Sequence, residues 1–186
     1  EKGINTGYPQ VDMEFVKKMV EDGQGMLRLV ALAPEISGID EVIKYLNDNG
    51  IRVAYAHSDM NCDEALEAFK KGITVATHTA NVMSGIHHRE MGGLGACLLD
   101  EDIWTEVICD GLHVSVDMLK IMFKVKPYDK WMMISDNAPM SGAPVGRYNA
   151  GWMDVNVDEE GFCLSDTGRL CGSTKPVLYG MGVLHN

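Results

Sequence analysis

Four polar residues stand just past four apolar, strand-like runs: His57 after IRVAYA, His78 after ITVAT, His113 after EVICDGL and Asp136 after KWMMIS. Groups carried at the ends of different parallel strands meet at one edge of a sheet, so this repeated placement points to a metal or catalytic cluster. His57 and His78 lie about one strand–helix repeat apart, and neutral imidazoles side by side at one level suit a borderline divalent ion. Zinc comes first, with iron, manganese or cobalt nearly as well served. Singly, each histidine is more often a hydrogen-bonded residue at a strand end; repetition in phase is what favours the ligand reading. Asp136 is placed to hold a water beside the ion and carry its proton, or else to act as an N-cap for the next segment. His113 can donate to a developing oxyanion or hold substrate.

A second set of residues can bind rather than react. His87, His88 and Arg89 form a basic cluster in an acidic protein, and Arg89 can grip a phosphate or carboxylate with its guanidinium fork, the alternative being a solvated loop. Asn81 binds substrate or makes an Asx turn. Leu170, Cys171 and Gly172, in LCGS before the last helix, offer backbone donors and helix-start amides for an anion or sugar hydroxyl, an ordinary capped helix start being the alternative. The thirteen methionines read as core filling.

The elements that must position these groups alternate. Apolar residues at helical spacing over Val11 to Glu21 precede the strand MLRLVALA; a helix through EVIKYLND, capped by Ser37 or Asp40, leads to IRVAYA; DEALEAFKK, behind the cap-type residues Ser58, Asp59 and Asn61, leads to ITVAT. Residues 79–99 break the rhythm and read as a long glycine-rich loop, of the kind that is functional or mobile. WTEVICDG, SVDMLKIMFK and WMMIS restore it. Five strands with helical crossovers imply an α/β fold with a parallel sheet. No G-x-G-x-x-G turn follows a strand, so the sheet reads as part of a (β/α)8 barrel rather than a dinucleotide fold. After Asp136, the turn signals EEG and DTG suggest a β-hairpin excursion before a final helix with apolar residues at Val177, Leu178, Met181 and Leu184.

Composition narrows the function classes. At 186 residues with 46% hydrophobic content, the chain can bury one ordinary core. A formal charge of -11 and a pI near 4.9 repel phosphate backbones and anionic lipid, which excludes nucleic acid and membrane as partners and requires a local basic pocket for any anionic substrate. Five cysteines without a C-x-x-C pair suggest neither a disulfide framework nor a thiolate zinc site, and fit a reducing, cytoplasmic setting. Both ends read as cut, so residues 1–186 are expected to be an internal segment.

Taken in order, LAPE (32–35), AHSD (56–59), ATHTANVMSGIHHREMGGLGA (76–96), CDGLHV (109–114), ISDNAPMSGAP (134–144) and LCGS (170–173) resemble the N-acetylglucosamine-6-phosphate deacetylases of the amidohydrolase superfamily. The resemblance implies a partial TIM barrel and a metal-dependent hydrolase that removes acetate from N-acetylglucosamine-6-phosphate, the alternatives being a truncated, non-catalytic segment with weak metal or sugar-phosphate binding and a related amidohydrolase with another N-acyl substrate. It implies His57 and His78 as metal ligands, Asp136 as the catalytic proton carrier, and His113 as the group contacting substrate and polarising the amide carbonyl. Asn81, Val82 and Arg89 match the loop that binds the sugar phosphate, and Leu170 to Gly172 a further substrate-binding turn. The family's arginine reaches into a neighbouring subunit's site, which implies a homodimer or higher oligomer. The resemblance also marks departures: the family's metal-binding glutamate falls upstream and Glu35 is not its equivalent, the first and last barrel strands and a flanking β domain have no counterpart, and Asn5 and Val82 stand where histidine and alanine are usual.

Overall fold

The computed structural model describes residues 10–151 and 153–185; the opening loop with Asn5 lies outside the described residues. Helix α1 (Met13–Asp22) starts where Asp12 accepts hydrogen bonds from the Glu14 and Phe15 amides. It leads into β1 (Leu29–Leu32). Helix α2 (Ile39–Asp48) buries Ile39, Val42, Ile43 and Leu46, the i, i+3, i+4, i+7 stripe of a core-facing helix. Neither expected cap is used: Gly38 holds the N-cap position at φ 83 without a side-chain bond, and Asp40 pairs with Lys71 at 2.8 Å instead. Helix α3 (Cys62–Phe69) begins with a full capping box between Asn61 and Glu64. Strands β2 (Arg52–Tyr55) and β3 (Ile73–Ala76) follow α2 and α3, paired in parallel to their neighbours, with an irregularity at Val53/Ala54 shortly before His57.

The expected loop over 79–99 is corrected in its second half. Residues 92–99 form a helix, α4 (Gly92–Leu99), buried along all of its length except Leu99. A helix apolar on every side has no amphipathic period to read, and its three glycines argue locally against helix. Tertiary packing overrides both: a Cβ at Gly93 would fall 2.1 Å from the Tyr55 hydroxyl, so only glycine admits this approach of α4 to β2.

The chain divides into two compact units, one ending at Thr105 and the other starting at Glu106, with the division inside β4 (Trp104–Ile108). The second unit continues with α5 (Val116–Val125), capped by Ser115, and β5 (Trp131–Ile134). Strands run in the sheet order β1-β2-β3-β4-β5, each beside its sequence neighbour, which is the order of a (β/α)8 barrel wall. The expected α/β class with five strands in one sheet holds.

The excursion after Asp136 is larger than one hairpin. Strands β6 (Gly146–Asn149), β7 (Asp154–Val157), β8 (Phe162–Ser165) and β9 (Leu170–Ser173) form a four-stranded antiparallel sheet around Val155, Val157 and Cys163. Turns end at Gly161 (φ 93) and Gly168 (φ 76), where the EEG and DTG signals stand. LCGS is therefore a strand and not a helix start; α6 (Val177–His185) begins only after Pro176. Among the described residues, no helix is long and apolar enough to cross a membrane.

Candidate active site

His57, His78 and Asp136 each lie two residues past the last residue of their strand, and each has left-handed backbone, at φ 49, 33 and 48. Side chains other than glycine are strained there, and such strain concentrates at functional sites. Among the described residues six non-glycines adopt it; Ala80 and Val82, in the loop after β3, are two more, leaving only Gln24 elsewhere.

In the first unit, His57 and His78 converge. Their Nε2 atoms are 3.0 Å apart and their ring centroids 4.9 Å, while the buried Nδ1 of His78 has no hydrogen-bond partner. Two imidazole nitrogens bound at about 2.0–2.1 Å to one tetrahedral ion stand about 3.3 Å apart, so the pair fits two positions of a divalent site. Among the described residues no group of three or more His, Cys, Asp or Glu side chains completes such a site. Glu35 is engaged elsewhere: its Oε1 accepts from the Asp59 amide at 2.9 Å.

The loop from Thr77 to Met91 is ordered by its own bonds. Asn81 closes a turn, donating from its backbone and side-chain nitrogens to the His78 carbonyl. Ser84 donates from Oγ to the Met60 carbonyl and accepts from Gly93 N. Glu90 Oε1 accepts from Cys62 N and from Gly92 N, both at 2.9 Å, pinning the starts of α3 and α4; these bonds hold its carboxyl below the usual range. A tight turn between His87 and Glu90 then presents Arg89 on an exposed tip, its guanidinium against His88 Nε2 at 2.6 Å. Val82 is half-buried on the same loop.

In the second unit His113 is held by a residue that sequence reasoning passed over. Its Nδ1 meets Asp110 Oδ2 at 2.8 Å, and the two side chains are only 5% and 3% exposed. Burial alone would push the Asp110 carboxyl up, but hydrogen bonds from the His113 ring and amide, the Ser173 hydroxyl and the Leu112 amide outweigh it and hold it well below the usual range. The Nε2 of His113 is buried without a partner. Asp136 is exposed, and its carbonyl accepts from Ser173 N at 2.8 Å. Leu170, Cys171 and Gly172 lie half-buried on β9, where a Cβ on Gly172 would come within 2.7 Å of the Asp136 carbonyl oxygen.

No protein-family model matches the sequence. The chain is 35% identical over 162 residues to N-acetylglucosamine-6-phosphate deacetylase of Bacillus subtilis, covering 87% of this chain and 41% of that protein. In structure it matches N-acetyl-D-glucosamine-6-phosphate deacetylase of Mycobacterium smegmatis, a mutant solved in complex with N-acetyl-D-glucosamine-6-phosphate, with a TM-score of 0.89 at 27% identity, over 94% of this chain and 46% of that one. The chain is a relative of the N-acetylglucosamine-6-phosphate deacetylases. It spans under half the length of the relatives it matches. A further deacetylase relative, from Escherichia coli O157:H7, is named for N-acetylgalactosamine-6-phosphate and is 32% identical over 91% of this chain and 45% of that protein.

Beside the residues carried over from the deacetylase resemblance stand two that were missed, Asp110 and Ser173. The D-x-x-H spacing in CDGLH contained the signal for Asp110, since side chains three apart in a turn can meet. Ser173 lies 63 residues from Asp110 and left no such trace.

Proposed function

We propose that the protein acts as a metal-dependent amide hydrolase that releases acetate from an N-acetylated hexosamine 6-phosphate, N-acetylglucosamine-6-phosphate first. The observation that carries this is the facing His57 and His78 nitrogens, 3.0 Å apart at the ends of neighbouring strands, in a chain related to deacetylases. His57 and His78 would hold the ion, which when bound supplies Lewis acidity that polarises the amide carbonyl and acidifies water. Zinc suits two imidazoles best, and iron, manganese or cobalt are served by the same donors.

The chain's own residues do the rest. The Asp136 carboxylate takes a proton from the attacking water as the new C–O bond forms and delivers it to the departing nitrogen as the C–N bond breaks, leaving acetate and the amino sugar. His113 presents Nε2 to the reacting amide, and when its ring is protonated that nitrogen donates to the carbonyl oxygen as charge develops. Arg89 grips the 6-phosphate, Asn81 and Val82 shape that end of the pocket, and the backbone of Leu170 to Gly172 holds sugar hydroxyls. Arg89 at an exposed tip is placed to act in a second copy's site, in a homodimer or larger homo-oligomer. The chain is then a segment of a longer catalytic barrel, and five cysteines without a C-x-x-C pair support a cytoplasmic setting.

The galactosamine-named relative supports a second substrate of the same class, since it is about as similar as the glucosamine-named ones. Acetate release from both N-acetylhexosamine 6-phosphates, with zinc and with chelator, tests the proposal beside an Asp136→Asn control. Release that chelator and the substitution both abolish supports it; a protein silent on both sugars refutes it. Arg89→Ala raises KM for the phosphorylated sugar steeply if that side chain binds the phosphate.

A further inference from the structure

We propose that Ser173 is a positioning residue that references both Asp136 and the Asp110–His113 pair to one point, fixing His113 with its proton on Nδ1 and Nε2 open to substrate. The catalytic part of this inference rests on the deacetylase reading above. Its geometric part does not.

Ser173 is 1% exposed and bonds in two directions. Its backbone forms a short parallel bridge to the loop after β5: Ser173 N donates to the Asp136 carbonyl and Ala138 N donates to the Ser173 carbonyl, both at 2.8 Å. These bonds hold Asp136 at φ 48, where a free chain would not keep it. Gly172 next to it permits the approach, because a Cβ there would collide with the Asp136 carbonyl.

The side chain points the other way. Ser173 Oγ lies 2.7 Å from Asp110 Oδ2 and 3.4 Å from the Lys175 carbonyl, and accepts from Lys175 N at 3.0 Å. A hydroxyl has one proton to give, and the nearer, charged acceptor takes it. Asp110 then receives four donors: Leu112 N at 2.8 Å and His113 N at 2.9 Å on Oδ1, His113 Nδ1 at 2.8 Å and Ser173 Oγ on Oδ2. A carboxylate so surrounded has no proton to offer, so the His113 ring must carry one on Nδ1. This is the arrangement by which a carboxylate fixes the tautomer and orientation of a working histidine. The remaining ring atom, Nε2, is buried and unpartnered among the described residues. A neutral ring accepts there; a protonated one donates.

Nitrogen-15 spectroscopy of the histidine rings, with His113 assigned by a His113→Gln variant, reads the tautomer without reference to catalysis. The expected wild-type signature is a proton on Nδ1, shifted downfield by the carboxylate; an Nε2–H tautomer overturns the proposal whatever any variant does. In Ser173→Ala the Nδ1 signal should move or broaden, and kcat for acetate release should fall about 10- to 100-fold with KM little changed, while Tm falls with the loss of the buried bond to Asp110. An unmoved ring signal in that variant, or undiminished kcat in an active protein, also overturns it. Should the wild type release no acetate, the deacetylase reading fails, while the ring signals still decide whether Ser173 orders His113.

Discussion

Gly93 of α4 and Tyr55 of β2 pack so closely that a methyl group on the glycine would lie 2.1 Å from the tyrosine hydroxyl and 3.0 Å from Cζ. Tyr55 is fully buried and stands two residues before His57, so this contact sets the end of the strand that carries a candidate ligand. Gly93→Ala should destabilise the protein by about 1–3 kcal/mol through overpacking. Tyr55→Phe removes the nearest atom but not Cζ, so in the Gly93→Ala background it should recover part of that loss. A double-mutant cycle on chemical denaturation measures the coupling, and strictly additive effects would show that the two residues do not share this contact.

The His57–His78 pair predicts ion-dependent stability. A ligand bound only by the folded state stabilises it by RT ln(1 + [L]/Kd), about 2.7 kcal/mol at a hundredfold excess over Kd. Zinc should therefore raise Tm over the chelated protein. His78→Gln should abolish most of that rise, while leaving the chelated Tm near wild type because half-buried His78 has one unpartnered nitrogen to lose. Calorimetry with and without chelator checks both; a rise untouched by the substitution places the ion elsewhere.

Asp136 separates chemistry from stability. Its backbone is left-handed, a conformation that asparagine tolerates as well as aspartate does. Asp136→Asn should lower kcat for acetate release by about 10²- to 10⁴-fold and leave Tm unchanged. Asp136→Ala should lose activity and also roughly 1–2 kcal/mol of stability, the cost of a Cβ in that region without a compensating polar side chain.

Asp110 carries a pH dependence of stability. Its carboxyl sits below the usual value in the folded state because the bonds from His113, Ser173 and Leu112 outweigh burial. A depressed folded pKa means that the stabilisation is fully present above the unfolded value of about 3.9 and is lost as pH falls from there toward the folded value. Unfolding free energies measured from neutral pH into the acid range should drop through that window in wild type and less steeply in Asp110→Asn. Equal slopes would remove Asp110 from the acid response.

The legible parts of this chain were those written in local pattern. Apolar runs and cap-type residues such as Asn61 announced β1 to β5 and their crossovers, because strand and helix periods need only neighbours to be read. Helix α4 was hidden: GGLGACLL has no polar face and is helical only because Tyr55 and the loop at Ser84 close on its glycines. The extra pairs of the antiparallel sheet were hidden too, since β6 and β9 are four-residue strands too short to show a period, although each pairs with its sequence neighbour, β7 or β8.

Residue order alone determined which side chains end which strands, and parallel connectivity then dictates that groups two residues past β2 and β3 emerge side by side, as His57 and His78 do. It also determined the acidic charge and the deacetylase motifs. Only the tertiary structure decided the left-handed backbone at His57, His78 and Asp136 and the junction at Ser173. Those depend on atoms brought together across long stretches of chain, where loop closure and packing, and no local periodicity, select the geometry.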